Sequence, residues 1–185
     1  MRVIAGKARR IQLVSLEGEA VRPTLDRYKE TLFNTIQAYI PDSFFIDVFA
    51  GTGSIGIEAL SRGARKAVFI ENNKKALSVI NENLEKTRLK DGAEVIARDA
   101  VSALMGFKSD ECADVIFIDP PYNRGLESEV LRVLKTSPLV GEDTLIVVEA
   151  SNETPLDDIT DQGYDIVKTK DYRTNRHIFL RKRGQ

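Results

Sequence analysis

Phe44-Phe45-Ile46-Asp47-Val48-Phe49-Ala50-Gly51-Thr52-Gly53-Ser54-Ile55-Gly56 is the stretch from which the fold can be read. An apolar run through Val48 has the content of a buried strand, a glycine-rich turn follows, and helical content continues through about Leu60. Glycines spaced Gly-x-Gly-x-x-Gly between a strand and a helix allow a tight turn and close approach of a ligand to the backbone. The free N–H groups at the helix start then favour acceptor atoms. A nucleoside-containing ligand fits such a turn.

Outward from this stretch the alternation of strand and helix continues. Ala67 to Ile70 reads as a strand, and Asn72 or Asn73 caps a helix whose buried stripe is Ala76, Leu77, Ile80 and Leu84, ending before Gly92. Strands are predicted at Glu94 to Ala97, Val115 to Ile118 and Leu145 to Glu149, with a helix over Leu126 to Leu134. Val115 to Ile118 is apolar throughout, as expected of a central strand covered on both faces, and Pro120-Pro121 ends it because proline cannot donate to a ladder. Tyr164 to Thr169 and His177 to Arg181 are expected to form an antiparallel pair. The predicted fold is α/β: a Rossmann-like, doubly wound, seven-stranded and mostly parallel sheet with a C-terminal antiparallel hairpin.

Toward the N-terminus, residues 2–5 and 11–14 are β-prone pieces around Gly6, which predicts a small β-hairpin extension over residues 1–23, outside the main core, ahead of a main domain over residues 24–185. After Arg22-Pro23, Thr24 is a good N-cap, and Leu25, Tyr28, Leu32, Phe33, Ile36 and Ile40 repeat at helical spacing until Pro41.

Composition excludes several classes. With 185 residues, 42% hydrophobic and 30% charged, the chain can bury one sizeable core and is neither disordered nor fibrous. One cysteine, Cys112, precludes an internal disulfide, and with one histidine, His177, it cannot build a Cys/His zinc site, so no metal is expected. No run approaches the roughly 18 apolar residues of a membrane span, so no membrane partner and a cytoplasmic location are expected. The net charge of −1 is unevenly spread: residues 1–30 carry +3 and residues 168–185 carry +6, which leaves −10 in between. Cationic ends around an acidic middle suggest a polyanion held by Arg2, Lys7, Arg9, Arg10, Arg22 and Arg27 together with Arg173, Arg176, Arg181, Lys182 and Arg183.

The acids near the glycine turn choose between ligands. Glu71, at the end of the second strand, is placed to accept hydrogen bonds from both ribose hydroxyls. A nicotinamide dinucleotide would bring an anionic pyrophosphate to the turn, whereas S-adenosylmethionine brings a sulfonium and an ammonium. Asp47 should repel the first and attract the second. Asp99 either accepts the adenine amino hydrogen or caps the following helix.

Asp119-Pro120-Pro121-Tyr122 then follows the fourth strand, at the edge where open α/β sheets bind ligands. An exocyclic base amine is a poor nucleophile because its lone pair is delocalised. The Asp119 carboxylate and the Pro120 carbonyl can hold its two hydrogens, since no proline N–H competes for them, and Tyr122 can stack on an extruded base. The chemistry expected is in-line methyl transfer by positioning, without a covalent enzyme intermediate. A DNA adenine or a protein glutamine presents a similar planar amine. The glycine turn alone would also serve a nicotinamide-dependent oxidoreductase, and the basic ends alone a catalytically silent RNA-binding scaffold.

These motifs resemble the class I S-adenosylmethionine-dependent amino-methyltransferases, and specifically the RsmD family, which methylates the exocyclic N2 of a guanine in 16S ribosomal RNA. The resemblance is carried by Met1-Arg-Val-Ile-Ala-Gly-Lys-Ala-Arg9, by Arg22-Pro23-Thr24 with Arg27, Glu30, Leu32, Phe33 and Asn34, by Asp47 through Gly63-Ala64, and by Asp119-Pro120-Pro121-Tyr122. It implies cofactor contacts at Asp47, Ala50, Gly51, Gly53, Glu71, Asp99 and Ala100, and target-base contacts at Asp119, Pro120 and Tyr122. It also implies closure over the methyl donor, or RNA contact, at Arg22, Thr24 and Arg27, with Arg9, Arg10, Arg173 and Arg176 as further RNA-binding candidates. The implied partner is 16S ribosomal RNA within an assembling small subunit, met by a monomer. Where the family often has a Tyr-Gly pair before its last strand, this chain has Asp171-Tyr172-Arg173-Thr174-Asn175, and Lys29 stands where an arginine is common. Lysine keeps the charge and loses the bidentate fork.

Overall fold

The computed structural model describes residues 1–16, 23–121, 125–155 and 157–184, with only the backbone described at residues 23–25, 157 and 158. Among these, strands β1 (Phe44–Asp47), β2 (Lys66–Glu71), β3 (Ala93–Ala97), β4 (Val115–Ile118), β5 (Leu145–Ser151), β6 (Tyr164–Asp171) and β7 (Asn175–Lys182) form one sheet in the order β3-β2-β1-β4-β5-β7-β6. The first five are parallel, and β7 runs antiparallel to both β5 and β6. Helices α1 (Pro23–Thr35), α2 (Ser54–Ser61), α3 (Lys74–Thr87), α4 (Ala100–Gly106), α5 (Leu126–Thr136) and α6 (Asp157–Asp161) accompany the strands. Among the described residues no helix is long and apolar enough to cross a membrane.

Strands β1 and β4 are buried at every position, as helices cover both faces; β4 is apolar throughout and β1 is apolar up to Asp47. Alternate residues feed two cores. Phe44, Ile46, Ile116 and Ile118 pack with Leu104 of α4 and Val130, Leu131 and Leu134 of α5. Phe45, Phe69, Phe117, Val147 and Phe179 pack with Leu32 and Phe33 of α1, Ile36 just beyond it, Ile57 of α2, and Ile80 and Leu84 of α3. Strand order reverses between β1 and β4, so the loops leaving their carboxyl ends splay apart and open a crevice.

Local boundaries depart from the pattern in readable ways. Helix α1 starts at Pro23 and stops at Thr35, and a short 3₁₀ turn, Gln37–Tyr39, still delivers Ile36 and Ile40 to the core. Asn73 caps α3 by accepting from Lys75 N and Ala76 N. Helix α3 ends at Thr87, five residues before Gly92, and is closed by Arg88, which takes φ +57°. Its buried face substitutes Asn83 and Thr87 for the half-exposed Leu77. The final hairpin is longer than its apolar runs, with an irregularity between Ile166 and Lys168 that leaves Val167 exposed.

The N-terminal segment corrects an expectation. Residues 1–13 do turn back on themselves as a small hairpin, with one antiparallel bridge, Arg2 to Gln12, and with Val3 N donating to Ile11 O and Leu13 N to Met1 O, both at 3.0 Å, but the hairpin does not lie outside the core: Val3, Ala8 and Leu13 are buried in the core shared with α1 and α2. Polar groups of three helices hold the segment down. Glu58 of α2 accepts from Ile4 N and Ala5 N at 2.8 and 3.0 Å, Ser61 Oγ donates to Ala5 O at 2.6 Å, and Asn83 Oδ1 accepts from Val14 N at 2.7 Å. Lys29 of α1 donates to Arg2 O at 2.7 Å and pairs with Glu58 at 3.3 Å, while Arg62 pairs with Glu58 at 2.8 Å. Gly6, at φ +82°, lies so close to the end of α2 that a Cβ would sit 1.8 Å from Ser61 O, so no larger residue fits there.

Candidate active site

The glycine turn is built by ties to the two strands that flank β1. Val48 N donates to Phe117 O of β4 at 2.9 Å, Ala50 N donates to Ile70 O of β2 at 3.0 Å, and Gly51 N donates to Glu71 Oε2 at 2.8 Å. Gly53, at φ +77°, precedes the first turn of α2, where Gly56 N donates to Asp47 Oδ2 at 3.0 Å. Gly56 also lets α2 approach β2, since a Cβ there would lie 2.4 Å from the Phe69 ring. The third glycine of the fingerprint therefore serves helix–strand packing.

Beside the turn is a cleft of about 280 Å³ lined by Val48, Phe49, Ile70, Glu71, Asn72, Arg98, Asp99, Ala100, Val101, Leu126 and Glu129. Of the expected cofactor contacts, Glu71, Asp99 and Ala100 line it, while Asp47, Ala50, Gly51 and Gly53 belong to the turn at its edge. Glu71 Oε1 accepts from Asn72 N and Asn73 N, both at 2.8 Å, so backbone bonds fix the carboxylate at the lip. Asp99 caps α4, its Oδ1 accepting from Ser102 N at 2.9 Å, and that bond holds its carboxyl below the usual range. Apolar walls of Val48, Phe49, Ile70 and Val101, with carboxylates at two points, suit an adenosine: the walls take the ring, and each carboxylate has two oxygens with which to accept.

Asp47 and Asp119 face each other across the β1/β4 switch. Asp47 pairs in register with Phe117, and Asp119 lies two residues beyond Phe117 on the same face. Asp47 is 1% exposed, and burial pushes its carboxyl up to about 7, with the Gly56 N–H opposing that shift and the Glu71 charge adding to it. Asp119 is half-buried, and its carboxyl is pushed up by burial first and then by the charges of Glu149 and Asp47. Pro120 is buried and Pro121 exposed. Such a cluster of carboxyls is stabilised by whatever brings positive charge or N–H donors to it. Tyr122 and Arg22 lie outside the described residues, as does the Thr24 side chain.

The basic candidates divide. Arg9, Arg10 and Arg27 are exposed and, with Arg2, line one cleft of about 560 Å³ that also holds Asp26 and Glu30. Arg173 is exposed between β6 and β7, whereas Arg176 is half-buried, donating to Asn152 O at 2.8 Å and pairing with Asp171 at 3.3 Å. The structure adds residues that the sequence reading assigned no role. Glu149 on β5 accepts from Asn175 Nδ2 and lies 3.1 Å from His177 Nε2, both on β7. The signal available for them was a carboxylate closing an otherwise apolar strand and a lone histidine opening another.

The strand order, the glycine turn opening on a nucleoside-sized cleft and the carboxylate at the end of β4 define a Rossmann-like methyltransferase whose cofactor is S-adenosylmethionine. A family model described as "Conserved hypothetical protein 95" matches residues 1–181. Ribosomal RNA small subunit methyltransferase D of Haemophilus influenzae is 37% identical over 171 residues, covering 92% of this chain and 88% of the relative. Its Escherichia coli K12 counterpart is 36% identical over 157 residues, covering 84% and 77%. Among solved structures, the Escherichia coli protein yhhF superposes with a TM-score of 0.87 at 31% identity, covering 100% of this chain and 99% of that one. The chain belongs to the RsmD family of small-subunit ribosomal RNA methyltransferases.

Proposed function

We propose that this chain transfers a methyl group from S-adenosylmethionine to the exocyclic N2 amine of a guanine in 16S ribosomal RNA, presented within an assembling small subunit. The observation that carries the reading is the placement of Asp119 and Pro120 at the carboxyl end of β4, on the face shared with Asp47 and beside the glycine turn. The relatives named above support the RNA substrate, and the arginine cleft of the N-terminal segment suits its phosphates.

Bound in the cleft, S-adenosylmethionine would supply an electrophilic methyl group on a sulfonium, whose leaving group is the neutral thioether. Glu71 holds the ribose diol, and Asp99 accepts from the adenine amine. Asp47 and Asp119 supply negative potential where the cationic end lies, and the cation in turn favours their ionised forms. The Asp119 carboxylate and Pro120 carbonyl accept the two amine hydrogens and so aim the nitrogen lone pair. Acids at the turn speak against a pyrophosphate-bearing nicotinamide cofactor.

The test is label transfer from methyl-tritiated S-adenosylmethionine to small-subunit particles, with nuclease and protease digestion of the product and mass spectrometry of ribosomal RNA nucleosides from cells lacking the protein. Labelled N2-methylguanine missing from those cells is expected. Label in a DNA adenine or a protein glutamine, or tight NADH binding with none for S-adenosylmethionine, would overturn the reading.

A further inference from the structure

The final hairpin sets a second polar cluster behind Asp119. Ile118 of β4 pairs with Val148 of β5, so Asp119 and Glu149 are the next residues of adjacent parallel strands and share a face. On β7, His177 is directly opposite Glu149, 2% exposed, with its ring edge-on to Phe117 at 6.3 Å. Its Nε2 lies 3.1 Å from Glu149 Oε2 and its Nδ1 lies 3.2 Å from the Tyr172 hydroxyl. Asn175 Nδ2 donates to the other Glu149 oxygen. A carboxylate only accepts, so with Glu149 ionised the imidazole carries its proton on Nε2, and Tyr172 donates to Nδ1.

Glu149 is thus gripped by two donors from β7 and turned toward a second carboxyl. Fixing an ion beside another group of like charge raises the proton affinity of that group. We infer that Glu149, held by His177 and Asn175, is a positioning residue that makes Asp119 the base of the reaction, and that the proton released when the amine is methylated goes to the Asp119 carboxylate. The inference rests on the amino-methyl transfer reading. The balance is one proton: the methylated nitrogen loses N–H and its positive charge, Asp119 becomes a neutral acid, and solvent takes the proton once product leaves. Among the described residues, the other titratable neighbours are Asp47 on β1, Lys170 on β6 opposite His177, Tyr172, and Tyr28 of α1, whose ring meets Tyr172 edge-on at 4.9 Å.

The experiment titrates Asp119 by carboxyl ¹³C resonances in the free protein, wild type and Glu149→Gln, and measures the pH dependence of single-turnover methyl transfer in both. Removing the charge of Glu149 should move the Asp119 titration and the acid limb of the rate about one pH unit lower and reduce the plateau about tenfold, because a weaker base remains. Affinity for S-adenosylmethionine should change less than about twofold. His177→Gln, which keeps a donor, should leave the limb in place, and His177→Phe, which removes it, should lower the plateau. The single histidine makes its ¹⁵N spectrum unambiguous, and the Nε2–H tautomer is expected. An Asp119 titration unmoved in Glu149→Gln, or an Nδ1–H tautomer, would overturn the inference even if RNA is methylated. Intact coupling in a protein that methylates no RNA would instead overturn the proposed function.

Discussion

Buried carboxylates occur in two regions of this molecule, and their surroundings differ. Under the N-terminal segment, Glu58 is 0% exposed and meets two backbone N–H groups, the Lys29 ammonium and the Arg62 guanidinium. At the β1/β4 edge, Asp47 accepts from Gly56 N, and it and Asp119 feel other carboxyls, Glu71 in one case and Glu149 in the other. The first arrangement is complete within the chain and acts as a joint. The second is unfavourable until something cationic and rich in N–H donors arrives, which a sulfonium and a base amine together provide. Burial alone therefore does not distinguish scaffold from site, whereas the sign of the neighbours does.

The largest expected effect tests the site half of that contrast. Asp119→Ala should reduce single-turnover methyl transfer by about 10³-fold, the scale for losing a group that both orients and neutralises the reacting atom. Its melting temperature should be unchanged or slightly raised, because a carboxyl that burial and like charge disfavour has been removed. A substantial loss of stability would mean that Asp119 belongs with Glu58 as a joint. The complementary variant, Glu58→Gln, should cost about 3 kcal/mol in denaturant unfolding, since it leaves the 3% exposed Lys29 without its counter-ion. Its affinity for S-adenosylmethionine should stay within about twofold, and a tenfold loss would merge the two regions into one functional unit.

Asp47→Asn separates stability from binding. Folding raises the Asp47 carboxyl to about 7, so from the ordinary carboxylate range up to that pH the folded protein holds a proton that the unfolded chain has released. Stability contributed by this proton is present at low pH and lost as pH rises through about 7. Asparagine keeps an acceptor for Gly56 N without the charge, so the variant should melt about 5 °C above wild type at pH 8, with the gap closing toward pH 4. It should also bind S-adenosylmethionine about tenfold more weakly at pH 8 and lose the wild-type gain in affinity as pH rises to neutrality. A variant less stable at pH 8 would show that the charge is already compensated within the fold.

What was legible in the sequence follows from the range of the interactions involved. The glycine turn, Asn73 as a cap, and the apolar runs of β1 and β4 are local patterns, and the structure reproduces them because strand, turn and helix each need only neighbours a few residues away. Glu58, Ser61 and Asn83 were not legible, because their partners lie 53 to 69 residues away, at Ile4, Ala5, Ala8 and Val14. Those long-range bonds are also why the N-terminal segment, too short of β pattern to pair with itself beyond one bridge, still joins the core. Glu149 and His177 escaped for a similar reason. They meet only through the antiparallel register of β5 and β7, strands separated in sequence by α6 and β6, which no periodicity in either strand announces.

The smallest expected effect concerns what the Glu58 joint holds in place. Arg9 and Arg10 are exposed at the tip of the segment, Arg10 in a left-handed conformation at φ +71°, and both line the cleft shared with Arg2 and Arg27. If that surface takes phosphates, Arg9→Gln with Arg10→Gln should weaken RNA association about tenfold at low salt and reduce the slope of log K against log salt by roughly 1 to 2, because each lost contact releases fewer counterions. Methyl-transfer rate at saturating RNA should hold within about twofold, since neither side chain lines the cofactor cleft or is among the charges that act on Asp119. Glu58→Gln should then show a milder version of the same change, with a reduced affinity and an unaltered salt slope, because it would loosen the platform without removing a charge from the RNA-facing surface. An unaltered slope in the double variant would reassign the arginine cleft to protein contacts on the assembling subunit.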